Sequence, residues 1–187
     1  AVDLPGHGFS KGKCLQSIED MADWLKMLIE VSGCRNASLI GHSQGCLISL
    51  ECAARYPKII KSLSLIGGSG AMPVNQLLLD LAENNNKKVV DLIMDWSHGP
   101  AGKFGTHSIP GMNHINIGTA LITNKSLKNT LGIDLQACNN YSNGFEAAKI
   151  LSLPVLSILG EQDRMCPLKA GNELANVIHN SQTHVIK

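Results

Sequence analysis

The chain has 187 residues, of which 44% are hydrophobic and 17% charged, and its formal net charge is +1. This length and composition are sufficient for one well-packed domain. The charge is close to neutral and aromatic residues make up only 4%, which argues against nucleic acid or an anionic membrane as the main partner. No apolar run approaches the roughly 20 residues that a membrane span needs.

The cysteines and the two ends of the chain bear on its setting. The six cysteines form no C-x-x-C pair and no regular framework, which predicts free thiols and a reducing, cytoplasmic location. Residues 1–3 are interpreted as the tail of a strand, and residues 183–187 as a strand with no turn after it. We therefore expect an internal fragment of a longer domain that lacks both ends.

Strands and helices alternate along most of the chain. A turn-rich loop at residues 4–10 is followed by a capping-box-like Ser17–Asp20 and an amphipathic helix that ends near Gly33. The remaining predicted elements are strands at 38–40, 59–66, 154–159 and 183–186, and helices after Ser43 and at 169–179. This alternation predicts an α/β fold with a mostly parallel sheet and helices on both faces.

The pattern changes between residues 72 and 143. This stretch has helical periodicity, a Gly/Pro/His-rich loop at 97–112 and no strand-like run. We interpret it as an inserted, mostly helical lid over the carboxyl ends of the strands, where ligands bind in open α/β sheets. The predicted organisation is a core in two parts, 1–71 and 144–187, separated by a lid at 72–143.

A G-x-S-x-G motif, Gly41-His42-Ser43-Gln44-Gly45, lies between a predicted strand and a predicted helix. A sharp, strained turn in this setting exposes a serine hydroxyl for attack. The N–H of Gln44, at the start of the helix, is a candidate oxyanion donor supported by the helix dipole. We predict that Ser43 is a nucleophile.

A similar run, Gly67-Gly68-Ser69-Gly70, also follows a predicted strand, but no helical pattern comes directly after it. We therefore interpret Ser69 as a turn residue.

A serine nucleophile needs a base, and usually an acid that orients the base. Asp163 comes just after a predicted strand, which places it on the same rim of the sheet as Ser43, and we predict that it is the acid. The alternatives are that Asp163 only caps a turn before Pro167 or that Glu161 is the acid. Asp3 is expected to brace its own loop.

The base is harder to assign among the seven histidines. His7 and His42 are predicted to lie near the substrate and not to act as the base. Three histidines fall in the predicted lid at a spacing that does not suit a metal site: His98, His107 and His114. His179 and His184 lie near the end of the chain. We expect the base in the loop beyond Lys187, so that these 187 residues alone would be inactive, with His184 as the internal alternative.

Three motifs together resemble the α/β-hydrolase superfamily, in its esterase/lipase-like branch. Residues 3–10 are similar to the loop after the family's fourth strand, residues 41–45 to its nucleophile elbow, and residues 160–163 with Pro167 to its acid loop. The resemblance implies Ser43 as nucleophile, Asp163 as acid and the helical insert as a substrate-shaping lid. We expect the family's second oxyanion donor to lie in a segment outside these 187 residues.

The sequence therefore predicts a carboxylesterase-like serine hydrolase that cleaves an ester or thioester of a small to medium substrate through an acyl-enzyme, with no cofactor and no metal. A small-peptide aminopeptidase, a C–C bond hydrolase and a non-catalytic ligand-binding relative remain as alternatives. Ser instead of Asp at position 43 argues against dehalogenase or epoxide hydrolase chemistry. A phosphate loop at residues 6–8 is disfavoured, because Lys11 stands where G-x-G-x-x-G needs its third glycine.

Overall fold

The computed structural model describes residues 1–84, 87–98 and 129–187. Within them, four strands form one sheet in the order β1-β2-β3-β4, and every neighbouring pair is parallel. The strands are β1 Ala37–His42, β2 Ile60–Ile66, β3 Val155–Gly160 and β4 Ser181–Ile186. The helices are α1 Ile18–Val31, α2 Gln44–Arg55, α3 Gln76–Glu83, α4 Lys88–Ser97, α5 Thr130–Asn140, α6 Gly144–Lys149 and α7 Leu168–Val177. The predicted α/β class with a parallel sheet is confirmed.

The direction of the strands determines where the loops of interest lie. Because β1, β2 and β3 run parallel, the residues that follow them emerge at the same edge of the sheet. Backbone hydrogen bonds extend across this edge: the N–H of Ser43 donates to the Ile66 carbonyl (3.1 Å), and the N–H of Gly67 donates to the Ile158 carbonyl (2.9 Å). The chain segments after the three strands are thereby fixed side by side.

Contacts divide the chain into two compact units. One unit, called the core unit here, comprises Gln16–Pro73 and Ala137–Lys187 and contains the whole sheet. The other, called the second unit, comprises Ala1–Leu15 and Val74–Gln136. The predicted lid includes residues 85–86 and 99–128, with His107 and His114, which lie outside the described residues. The lid boundaries therefore stay a prediction.

The core unit is built on apolar faces of its strands and helices. Helix α1 begins where Ser17 Oγ accepts a hydrogen bond from the N–H of Asp20 (3.1 Å), as the capping pattern predicted. The side chains of Leu50, Leu63 and Leu174 are at most 2% exposed and bring α2, β2 and α7 into one hydrophobic cluster. Burial of this kind is the main source of the unit's stability.

The first residues of the second unit differ from the prediction. Ala1–Asp3 is not a strand, because strand pairing needs a ladder of backbone hydrogen bonds and the Asp3 carbonyl accepts instead from the Ser10 hydroxyl (2.7 Å). The Asp3 carboxylate also accepts from the N–H of Phe9 (3.0 Å). Asp3 thus braces its own loop, as predicted.

A buried carboxylate anchors the residues between α5 and α6. Glu51, on α2, is buried, and its Oε2 accepts hydrogen bonds from the Tyr141 hydroxyl (2.6 Å) and from Asn143 Nδ2 (3.0 Å). Burial, together with the hydrogen bond to Glu51, raises the pKa of Tyr141, so the hydroxyl stays protonated and donates.

Replacing Tyr141 with Phe is expected to lower the free energy of unfolding by about 1–3 kcal/mol, because the buried Glu51 carboxylate loses a donor. Urea denaturation followed by circular dichroism measures the change. Tyr56→Phe is the matched control: Tyr56 donates to Asp23 (2.6 Å) where water replaces the lost bond, so a smaller effect is expected. If the two variants lost equal free energy of unfolding, burial of the Glu51 carboxylate would not be the cause of the loss in Tyr141→Phe.

Candidate active site

Ser43 occupies a strained turn between β1 and α2. Its backbone angles are φ 52° and ψ −121°, in the left-handed region that non-glycine residues rarely adopt. The side chain is exposed and makes no capping hydrogen bond to α2. A Cβ on Gly41 would collide with the carbonyl of Gly45, so this turn requires glycine before it. The turn presents the Ser43 hydroxyl to solvent at the carboxyl edge of the sheet.

Ser69 provides an internal comparison. It is buried, and its hydroxyl donates to the Ala71 carbonyl two residues later. Ser69 lies in the loop after β2, and its hydroxyl, unlike that of Ser43, is not exposed to solvent.

The start of α2 lies directly beside Ser43. Gln44 is the first residue of the helix, where backbone N–H groups point away from the helix and the dipole favours negative charge. Close by, the Cys46 thiol donates to the carbonyls of Gly41 (3.1 Å) and Ile66 (3.3 Å). Burial raises the pKa of Cys46 to about 12, so this thiol stays neutral and does not compete as a nucleophile.

Asp163 follows β3 and is held by the backbone of its own loop. Its Oδ1 accepts hydrogen bonds from the N–H groups of Met165 (2.8 Å) and Cys166 (2.9 Å). These are the bonds of a turn cap, which was the alternative interpretation of this residue, and they engage only one carboxylate oxygen. The second oxygen, Oδ2, faces Gly67, since a Cβ placed there would lie 3.3 Å from it. Glu161 is exposed, and its backbone N–H donates to the Ile186 carbonyl (2.8 Å).

His42 and Asp163 border the same point of the sheet edge. The Cβ position of Gly67 lies 3.9 Å from His42 Cδ2 and 4.0 Å from its Nε2, in addition to its approach to Asp163 Oδ2. His42 is the last residue of β1, directly before Ser43, and its side chain is exposed. The core unit thus brings His42, Gly67 and Asp163 together at the edge where Ser43 lies.

His7, the other predicted substrate contact, lies in the second unit and is engaged there. Its Nε2 is 2.7 Å from Asp134 Oδ2, and its Nδ1 is 3.1 Å from the Pro5 carbonyl oxygen. Both partners only accept, so the ring donates from both nitrogens when it is protonated. The hydrogen bond to Asp134 raises the pKa of His7, although burial opposes it. A substrate contact by His7 stays a prediction.

The His7–Asp134 pair predicts a pH dependence. Because the folded-state pKa of His7 lies above the unfolded value, the pair stabilises fully below about pH 6.5, and the stabilisation is lost as pH rises through the folded pKa. We expect the thermal midpoint to fall over this window, and Asp134→Asn to flatten the fall. His179→Gln, an exposed histidine, serves as control. The same pH profile in Asp134→Asn and wild type would contradict this.

The remaining described histidines lie elsewhere. His98 Nδ1 is 2.9 Å from the Met94 carbonyl oxygen. His179 is exposed two residues beyond the end of α7, and His184 is exposed within β4, opposite Ile158. Within residues 1–84, 87–98 and 129–187, no cluster of three or more His, Cys, Asp or Glu side chains is arranged to hold a metal ion. None of the helices in these same ranges is long and apolar enough to cross a membrane.

The chain is similar to a known family and to several known proteins. Residues 1–95 match the family described as "alpha/beta hydrolase fold". The uncharacterized hydrolase YugF from Bacillus subtilis is 26% identical over 97% of this chain and 68% of its own length. Three further curated relatives match over segments that cover only 19%, 29% and 23% of their own lengths. The chain therefore spans only part of the length of these curated relatives.

Solved structures extend the likeness to nearly the whole chain. A thermophilic esterase is 25% identical, with a TM-score of 0.77 over 98% of this chain and 69% of the esterase. The enol-lactonase from Burkholderia xenovorans LB400 is 18% identical, with a TM-score of 0.87 over 99% of this chain and 70% of the lactonase, which is a likeness of fold.

Proposed function

The chain belongs to the alpha/beta hydrolase fold family, and we propose that it is a serine hydrolase that cleaves a carboxylic ester or thioester of a small to medium substrate. The observation that carries the proposal is the left-handed backbone of Ser43, which holds an exposed hydroxyl between β1 and α2. The names of YugF, a hydrolase, and of the thermophilic esterase support the same class of reaction.

In the proposed mechanism, Ser43 Oγ attacks the carbonyl carbon while a histidine accepts its proton. The carbonyl oxygen gains negative charge, which the N–H of Gln44 stabilises at the start of α2. The tetrahedral intermediate collapses, the alcohol or thiol leaves with the proton from the histidine, and an acyl-enzyme remains on Ser43. A water molecule then releases the acid by the same steps, with the histidine as base.

Asp163 is the proposed acid that orients the histidine. Its Oδ1 is fixed by two backbone N–H groups, so Oδ2 is the oxygen that accepts from the imidazole. We assign the base to the predicted histidine beyond Lys187, because a residue that follows β4 emerges at the same sheet edge as Ser43 and Asp163. His42, exposed at that edge, is assigned a substrate contact. Selection among acyl groups is assigned to residues 72–143, the predicted lid.

The proposal is tested by rapid-mixing kinetics of the whole protein with p-nitrophenyl esters of increasing acyl length. An acyl-enzyme predicts a burst of p-nitrophenol in proportion to the enzyme, followed by slower turnover. Amino-acid p-nitroanilides run in parallel test the aminopeptidase alternative. Cleavage of the anilides without cleavage of the esters would reject the esterase assignment, and no turnover of either would favour a non-catalytic relative or a C–C bond hydrolase.

A further inference from the structure

Gly67 occupies a special place between the proposed acid and the elbow. It directly follows β2, which lies between β1 and β3 in the sheet, and it has φ +57°. Its N–H donates to the Ile158 carbonyl (2.9 Å), which fixes its position relative to β3. We infer that Gly67 is a positioning residue of this site: its missing side chain keeps open the space in which the base meets Asp163 Oδ2. The inference rests on the proposed function.

The space beside Gly67 is bounded on two sides. A Cβ there would lie 3.3 Å from Asp163 Oδ2 and 4.0 Å from His42 Nε2. The first distance is shorter than an ordinary contact, so the added methyl group displaces the carboxylate or excludes a ring that approaches Oδ2. A glycine at this position leaves both the oxygen and the space in front of it accessible.

The Asp163 carboxylate has little freedom to move away from a new side chain at position 67. Its Oδ1 is bound by the N–H groups of Met165 and Cys166, so turning the carboxylate away from a new methyl group breaks or bends these bonds. The loop after β2 is confined as well, because Gly68 packs directly against the Cys46 side chain. A side chain at position 67 therefore acts on Oδ2, the oxygen that orients the base.

The test compares Gly67→Ala with Gly33→Ala in the whole protein. Gly33 has φ +74° and no atom within 4 Å of its Cβ position, so its variant carries similar backbone strain without the contact. For Gly67→Ala we expect kcat to fall about 10-fold, because the 3.3 Å contact shifts the carboxylate by less than the misplacement of about 1 Å that costs about 100-fold, and KM to stay within about twofold. The acidic limb of the kcat/KM profile should move to lower pH, because a base that loses its carboxylate partner has a lower pKa. Gly33→Ala should lose stability but keep the wild-type kcat and pH profile.

Two further variants separate the possible outcomes. Gly67→Asn adds the same Cβ with a residue that tolerates left-handed backbone, so it serves if Gly67→Ala fails to fold. In an Asp163→Asn background, Gly67→Ala should lower kcat little further, because both changes act on the contact between residue 163 and the base. Folded Gly67 variants with the wild-type kcat and pH profile would overturn this inference and leave the proposed function intact. A wild-type protein that hydrolyses no ester and is not modified at Ser43 would overturn the proposed function itself, and this inference with it.

Discussion

Ser43→Ala is expected to slow ester hydrolysis by the whole protein about 10⁴- to 10⁶-fold. Removing the hydroxyl removes the atom that forms the acyl-enzyme, so only the environment of the site remains to promote attack by water. The fold should be unaffected, because the Ser43 side chain is exposed and makes no capping hydrogen bond to α2. The measurement is kcat for p-nitrophenyl butyrate, with circular dichroism as a check on folding.

Ser38→Ala is the matched control for this variant. Ser38 lies on β1 and is exposed, and its hydroxyl shares a hydrogen bond with that of Ser62 on the neighbouring strand (2.8 Å). It should keep the wild-type rate. A Ser43→Ala rate within about tenfold of wild type would show that another group is the nucleophile.

The second large effect is expected for Asp163→Asn, which should lower kcat by about 10⁴-fold. The amide keeps an oxygen to accept the N–H groups of Met165 and Cys166, so the loop should hold its shape. The NH₂ group that replaces Oδ2 can no longer accept a hydrogen bond from the imidazole, and it favours the wrong tautomer of the base. Loss of rate with retained stability is therefore the expected combination.

Glu161→Gln separates the two carboxylates of this loop. Glu161 is exposed and directly follows β3, two residues before Asp163. We expect its substitution to leave kcat unchanged. A large loss in Glu161→Gln with none in Asp163→Asn would move the role of acid to Glu161.

Local features of this chain were readable from the sequence. An apolar strand and a helical periodicity on either side of Ser43 predicted the turn that the structure places there. Capping by Ser17 was equally readable, because its partner Asp20 is only three residues away. Each of the four observed strands lies within two residues of its predicted counterpart at both ends. Such features depend on neighbouring residues, which a sequence displays directly.

Features that depend on distant residues were missed. The hydrogen bond between Glu51 and Tyr141 joins positions 90 residues apart, and that between His7 and Asp134 joins positions 127 apart. No spacing rule connects such pairs. The sequence placed Gly67 only in a loop after a strand. Its approach to Asp163 Oδ2 depends on β2 and β3 being neighbours in the sheet, which the sequence does not specify. The wrong strand at Ala1–Asp3 has a similar cause, since a strand needs a partner that the local pattern cannot specify.

The proposed hydrolase activity depends most directly on the reactivity of the Ser43 hydroxyl. Treating the whole protein with a fluorophosphonate probe and mapping the modified peptide by mass spectrometry measures this reactivity. We predict a single adduct on Ser43, its absence in Ser43→Ala, and an unmodified Ser69, whose buried hydroxyl is engaged by the Ala71 carbonyl. Labelling that persists unchanged in Ser43→Ala, or an adduct on Ser69 in place of Ser43, would contradict the assignment of the nucleophile.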